Sequence, residues 1–204
     1  MAARRRGPAD TQAQILDVAE RLVQSRGFNA FSYADVAAEL GITKPALHYH
    51  FAGKAELGEA LLARYTTRFD AALESINAEC ADGLAKLEAY AELYAQVLAD
   101  QRMCLCGMLA ADYHTLPKPM RDAVIGFFDH NEDWLARVLQ QGRQDGSLEF
   151  PGSSTEASRL IVGALEGAML VVRPYGDVAR FRATAARLIA EFAKAKPARA
   201  ARRR

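Results

Sequence analysis

The stretch from Ser32 to Phe51, SYADVAAELGITKPALHYHF, constrains this chain more than any other. It encodes two short helices joined by a tight turn. Ser32 is placed to cap the first, with Asp35 three residues on, the spacing of a capping box. Val36, Ala37 and Leu40 give that helix a small apolar face. Gly41 admits a turn that a side chain would resist. Thr43 is placed to cap the second helix, and Pro45 falls in its first turn, where a missing N–H costs little. Ala46 and Leu47 are expected to pack inward, while Thr43, Lys44, His48, Tyr49 and His50 bring hydroxyl, ammonium, phenol and imidazole groups to the surface. A helix pair of this kind presents its second member to the major groove of DNA.

Residues 11–57 as a whole carry a wider pattern. Gly27-Phe28 ends a helix, and Ser32-Tyr33-Ala34-Asp35-Val36-Ala37 follows. Then come Gly41-Ile42-Thr43-Lys44, Leu47-His48-Tyr49-His50-Phe51 and Lys54-Ala55-Glu56-Leu57. This resembles the N-terminal domain of the TetR/AcrR family of one-component transcriptional regulators. One position departs from the family pattern: His48 stands where tyrosine is usual. The resemblance implies that Thr43, Lys44 and Pro45 approach bases and that Tyr33, Tyr49 and Lys54 hold phosphates. His48 is open to either role, and His50 with Phe51 is implied to pack the turn against the first helix. The resemblance also implies a homodimeric, ligand-responsive regulator. It would act as a repressor that binds a near-palindromic double-stranded DNA operator and is released by a small effector.

The bulk properties agree with an all-α protein. The chain has 204 residues and is half apolar, which suits a well-buried core and excludes disorder throughout. Helical periodicity dominates and alternating strand patterns are nearly absent. The basic N-terminus leads into Gly7-Pro8 and an amphipathic helix, not an apolar targeting segment. The apolar run from Leu160 to Val172 is interrupted by Glu166 and is too short to span a bilayer. Three cysteines suit a reducing compartment better than a disulfide framework, so a cytoplasmic protein without membrane contact is expected.

Charge is distributed unevenly. Nine of the 26 basic residues lie in residues 1–6 and 194–204, where there are no acids. The other 17 share the stretch between with all 25 acids. An acidic body with two basic arms is compatible with DNA contact through the arms. The N-terminal arm precedes the paired helices and is within reach of an adjacent groove; the tail reads equally as a solvated end. Three segments follow: 1–53, a basic arm and helix-turn-helix; 54–194, a ligand-binding and dimerisation bundle; 195–204, a basic tail expected to be disordered.

The periodicity predicts a first helix from Thr11 to Arg26, with Ile15, Ala19, Leu22 and Val23 inside and Gly27 ending it. A long helix follows from Lys54 to about residue 80, then helices over about 83–100 and 104–114. Another long one runs over 118–144, stopped by Asp145-Gly146. The last two are predicted over 155–172 and 177–194. Leu160, Ile161, Ala164, Leu165 and Ala168 lie on the first of these, with Gly163 and Gly167 inviting another backbone to approach. Phe181, Ala185, Leu188, Ile189 and Phe192 lie on the second. The resemblance implies a dimer interface built from these two helices; the alternative is that their apolar faces close the chain's own core.

No metalloprotease, phosphate-loop or dinucleotide fingerprint is present, no histidine–cysteine spacing makes a zinc site, and no cofactor is expected. An enzyme on a helical bundle would need a site assembled from dispersed residues such as Asp112, His114, His130 and Glu166. A small-molecule pocket needs apolar and aromatic groups with a few polar ones among them. The candidates are Tyr94, Met103, Cys104, Met108, Tyr113, Phe127, Phe128, Asn131, Trp134, Glu166, Met169 and Arg173, and the effector expected of them is small and apolar or aromatic. Each aromatic or methionine also reads as ordinary core. Glu166 and Arg173 lie seven apart on one helical face, so an ion pair between them competes with ligand contact. In Met103-Cys104-Leu105-Cys106-Gly107, two cysteines two apart cannot share a helical face, and a disulfide between them would need a distorted backbone. Either thiol reads as inert core or, near a helix N-terminus, as a sensor of oxidants or electrophiles.

Overall fold

The structure, a computed structural model, describes residues 8–194. The basic arm at 1–6 and the tail at 195–204 lie outside the described residues. Within them the chain forms nine α-helices: α1 (Pro8–Arg26), α2 (Tyr33–Leu40), α3 (Lys44–His50), α4 (Lys54–Glu79), α5 (Gly83–Ala99), α6 (Leu105–Ala111), α7 (Lys118–Asp145), α8 (Ser154–Val172) and α9 (Val178–Ala190). Single 3₁₀ turns follow α6 at Tyr113–Thr115 and α8 at Arg173–Tyr175. No helix among the described residues is long and apolar enough to cross a membrane.

The helix ends follow local chemistry. Ser32 accepts from the Asp35 N–H, and the Asp35 carboxylate accepts from the Ser32 N–H at 2.7 Å, closing the expected capping box. Ser153 and Glu156 repeat the device at the start of α8. Gly27 at φ +94° and Gly41 at φ +64° take the left-handed turns that end α1 and α2.

Two ends differ from expectation. Helix α6 stops at Ala111 and tightens into the 3₁₀ turn rather than running to His114. Helix α9 stops at Ala190, four residues short of Lys194. There the chain turns back and pairs with the connection between α7 and α8: the Glu149 N–H donates to the Phe192 carbonyl at 2.9 Å and the Lys194 N–H to the Ser147 carbonyl at 3.1 Å. Phe192 packs on Phe150 with ring centroids 5.5 Å apart, and burial of that pair draws the segment inward.

Helices α5, α7, α8 and α9 pack on one another, α4 runs against α7, and α1–α3 gather at one end, with α1 touching α4 and α6. The α5–α7 approach depends on glycine: a Cβ at Gly83 would lie 2.5 Å from the Gly142 Cα. Gly163 and Gly167 do not serve such a contact inside the chain, for a Cβ at either meets nothing within 4 Å.

The expected interface set divides. Ile161, Leu165, Phe181 and Phe192 are buried in the chain's own core, Ala164 and Ala168 are half-buried, and Leu188 is half-buried against that core. Leu160 remains 58% exposed, with Leu170, Val171 and Tyr175 also in solvent. The correction has a simple cause. A helix covered on one side by α7 and α9 must bury one apolar stripe internally, so only the opposite stripe stays exposed.

Candidate nucleic-acid interface and buried polar cluster

The α2–α3 pair is a small rigid unit. Leu47 is wholly buried and anchors α3, and Phe51 is buried behind it. Thr43 caps α3 by accepting from the Ala46 N–H at 3.3 Å, with Pro45 in the first turn. Thr43, Lys44, Pro45, His48 and Tyr49 all face solvent. Ala46 does too, contrary to expectation: a seven-residue helix resting on one leucine has room for a single inward position.

Tyr33 and Lys54 are more occupied than the sequence implied. The Tyr33 hydroxyl donates to the Phe51 carbonyl at 3.1 Å. Burial, and secondarily the charge of Glu56, push its pKa up to about 12. The Lys54 ammonium donates to the Phe31 carbonyl at 2.5 Å and lies over the rings of Phe28 and Phe31, 4.7 and 4.3 Å from their centroids. Burial lowers its pKa, against the raising influence of Asp112 and Asp35. Both side chains thus brace the α2–α3 unit. They also line, with Lys44 and His48, an open recess of about 470 Å³ beside α3.

His48 leans on Tyr33, ring centroids 4.7 Å apart, and its Nδ1 lies 3.1 Å from the Ala52 carbonyl. A carbonyl only accepts, so Nδ1 carries the proton and Nε2 is left as an acceptor in the neutral ring. His50 is half-buried beside Tyr49.

Three sets of contacts join this head to the other helices. Glu20 of α1 is buried and accepts from Arg64, at 2.9 Å, and from Arg68, both on α4. The Asp112 carboxylate, just past α6, accepts from the Phe28 N–H at 2.8 Å and from the Asn29 side chain at 2.9 Å. Arg173 donates to the Ser25 carbonyl and to the Met108 sulfur. The lack of a Cβ at Gly27 eases this approach, since one built there would lie 3.2 Å from Asp112 Oδ2. Sequence spacing carries no signal for these pairings, because their partners lie dozens of residues apart.

Among the ligand candidates the structure gathers Tyr94, Cys104, Phe127, Asn131, Trp134 and Glu166 in or beside one buried cluster, with Met169 buried in the same core. It adds Tyr65, Phe69 and Tyr90. Tyr94 donates to the Tyr90 oxygen at 3.0 Å, and Tyr90 donates to Asn131 Oδ1 at 3.1 Å. Trp134 stacks on Tyr90, while its Nε1 finds no partner among the described residues.

Glu166 reaches in from α8. Its stem is part-exposed and its carboxylate buried, with a hydrogen bond from the Cys104 thiol. Its Oε1 has no partner among the described residues. Burial pushes its pKa up to about 7, offset in part by the thiol. Gly107 allows this approach: a Cβ there would lie 2.4 Å from Glu166 Oε2.

The remaining candidates stand elsewhere. Met103 is buried where its N–H meets the Gln24 carbonyl. Met108 and Arg173 belong to the Ser25 junction, and Tyr113 lies beneath Arg121, 5.9 Å from the ring centroid. Phe128 is half-buried against Phe127. Arg173 therefore does not pair with Glu166, because it has left α8 for the following 3₁₀ turn. An apolar groove of about 370 Å³ between α5 and α9, rimmed by the Glu92–Arg182 pair, is a separate feature.

Two alternatives are less favoured. Cys104 and Cys106 are buried and free, and burial, reinforced by Glu166, pushes both thiols well up, against the thiolate that a sensor needs. Asp112, His114, His130 and Glu166 do not converge: Asp112 holds Asn29 and His130 faces Asp70 at 3.2 Å. No group of three or more histidines, cysteines or acids among the described residues is placed to hold a metal.

Comparison with known proteins adds independent weight. The family described as bacterial regulatory proteins, tetR family, matches residues 15–61, and the tetracyclin repressor-like C-terminal domain matches residues 83–188. The HTH-type transcriptional regulator TtgR of Pseudomonas putida is 45% identical over 53 residues, 26% of this chain and 25% of that protein. The HTH-type transcriptional repressor NemR of Escherichia coli is 25% identical over 167 residues, 79% of this chain and 83% of that one. The crystal structure of a transcriptional regulator from Agrobacterium tumefaciens superposes with a TM-score of 0.89 at 29% identity, covering 92% of this chain and all of that one.

The buried acid makes stability depend on pH. An unfolded glutamate ionises near 4.5, whereas Glu166 in the folded chain holds its proton to about 7. Ionisation therefore costs the folded state stability as pH rises from 4.5 through 7, and the full penalty, roughly 3 kcal/mol, applies above that. Glu166→Gln is expected to be more stable than the parent in urea at pH 8, with the difference disappearing by pH 4.5. A variant no more stable than the parent at pH 8 contradicts the buried carboxylate.

Proposed function

The chain belongs to the TetR family of bacterial regulatory proteins, and from that membership we propose that it is a dimeric transcriptional repressor. It binds a near-palindromic operator and is released by a small molecule bound in the C-terminal helices. The observation that carries the DNA reading is α3 itself. Tyr49 is 82% exposed on the same capped helix as Lys44, an aromatic ring with no core to serve. Thr43, Lys44 and Pro45 approach base edges, and Tyr49 contacts phosphate, with His48 Nε2 free for either. Tyr33 and Lys54 act chiefly by holding α3 in place. The boundary between DNA-binding head and ligand-binding body falls at Gly53-Lys54, where α4 begins.

The dimer face is the outer stripe of α8: Leu160, Gly163, Gly167 and Val171, flanked by Leu188 of α9. Release works through two connections. One is α4, gripped to α1 through Glu20. The other is α6, whose first turn abuts Glu166 and whose far end, through Asp112, holds the loop after α1. A ligand that displaces Glu166 shifts α6 and hence the head, with a coupling of about 1–3 kcal/mol, the usual allosteric range.

Lys44→Ala and Tyr49→Phe should weaken binding to an inverted-repeat operator without altering thermal stability, read by fluorescence anisotropy at several salt concentrations. Wild-type affinity equal for all duplexes refutes specific regulation. Leu160→Asp should give a folded monomer in light scattering at micromolar concentration, since a lone charge in an apolar contact is costly. An unchanged dimer moves the interface elsewhere. Asp112→Ala should leave effector binding intact and reduce effector-driven operator release severalfold; normal release assigns the coupling to α4 alone.

A further inference from the structure

The buried cluster holds a negative charge with no positive one opposite. Glu20, a buried acid elsewhere among the described residues, is matched by two arginines. No cation acts on Glu166, and its Oε1 is unpartnered and buried among the described residues. Only a thiol donates to the carboxylate, a weak donor for a full charge. A second polar group in the same cluster, Trp134 Nε1, is likewise buried and unpartnered.

The walls are aromatic. Tyr65 lies 5.7 Å from Phe127, Phe127 5.1 Å from Phe69, Phe69 6.2 Å from Tyr90, and Tyr90 5.6 Å from Trp134, all between ring centroids. Glu166 acts electrostatically on Tyr65, Tyr90 and Tyr94, which places the acid close to these rings. Aromatic faces carry negative potential and attract cations, most strongly where water is excluded. A groove of about 270 Å³ between α4 and α5 is lined by Tyr65 and Phe69 together with Arg68 and Asp100, and the Tyr65 hydroxyl touches, at 3.8 Å, the sulfur of Cys104, whose thiol in turn donates to Glu166.

We propose that the effector is an organic amine whose ammonium group pairs with Glu166 inside the aromatic cluster, while its apolar part rests against Tyr65, Phe69 and Phe127. The proposal deepens the ligand-released regulator described above and depends on it for biological meaning. An ammonium group supplies the missing partner for Oε1 and favours the rings around it. A neutral alcohol answers only the hydrogen bond, and a carboxylate meets repulsion. The titratable groups facing Glu166 are Tyr65 on α4, Tyr90 and Tyr94 on α5, and Cys104 and Cys106 beside and on α6. Burial holds all five in their neutral forms near pH 7, so Glu166 alone changes charge there.

Benzylamine, benzyl alcohol and benzoate, equal in size and differing in charge, test this against the full chain at pH 8. Binding is read by calorimetry and by the fluorescence of Trp134, the single tryptophan of the chain. Benzylamine should bind saturably and about tenfold or more tighter than benzyl alcohol, with benzoate weakest. Its affinity should fall as Glu166 takes up a proton between pH 8 and pH 6. Glu166→Gln should remove most of the preference for the amine while keeping the wild-type circular dichroism spectrum. Equal affinity for amine and alcohol, no saturable amine binding, or an undiminished preference in Glu166→Gln overturns the proposal. Operator release by neutral aromatics together with any of those outcomes leaves the repressor reading standing with a different effector. Release by no small molecule of any charge counts against both.

Discussion

The grip of two arginines on one buried glutamate governs how this molecule is put together. Glu20 lies on the inner side of α1 and is almost wholly buried, which an unpaired carboxylate does not tolerate. Arg64 and Arg68 of α4 supply the matching charge, and Arg64 also reaches Asp17 at 2.7 Å. The same α4 continues into the body and packs on α7. The head carrying α3 is therefore not a bead on a linker. Its angle is set by the helix that walls the buried cluster. Removing either partner leaves a charge stranded, so head and body are held in a small number of arrangements rather than a continuum.

The reading helix depends on neighbours in another way. Seven residues are too few to hold a helix in water. Helix α3 persists because Thr43 caps it, Pro45 pre-sets its first turn, Leu47 is driven into the core, and Tyr33, Lys54 and His48 brace its end. Each brace consumes a polar group that otherwise looks free for DNA. Surface chemistry and support thus compete for the same side chains, and burial decides which role each takes.

The C-terminal cluster follows the opposite logic. Evolution of a purely stable bundle would put an apolar residue at position 166. A carboxylate with its pKa raised to about 7, an unpartnered oxygen and an unpartnered indole N–H weaken the folded state. Such costs persist where a ligand offsets them. The position also lies on α8, the helix whose outer stripe is open, and against α6, whose other end holds the head. Glu166, the open stripe of α8 and the α6 junction to the head thus adjoin one another in one packed unit.

Much of this was legible in the sequence. Fold class, the order of helices and the capped helix-turn-helix all follow from local rules: side-chain periodicity, cap spacing, and glycine at left-handed turns. Those rules act over a few residues, so the chain alone determines them. Apart from Ala46, the residues on α3 that face solvent were legible for the same reason. The inward turn after Ala190, the burial of Ile161, Leu165, Phe181 and Phe192, and the separation of Arg173 from Glu166 were not. Nor were Asp112 on the Phe28 and Asn29 groups, 84 and 83 residues away, or Tyr65 and Tyr90 beside Glu166. An apolar stripe states that it will be buried but not against what. A charge states that it needs a partner but not which one. Only packing in three dimensions, where burial and pairing are decided together, settled those choices.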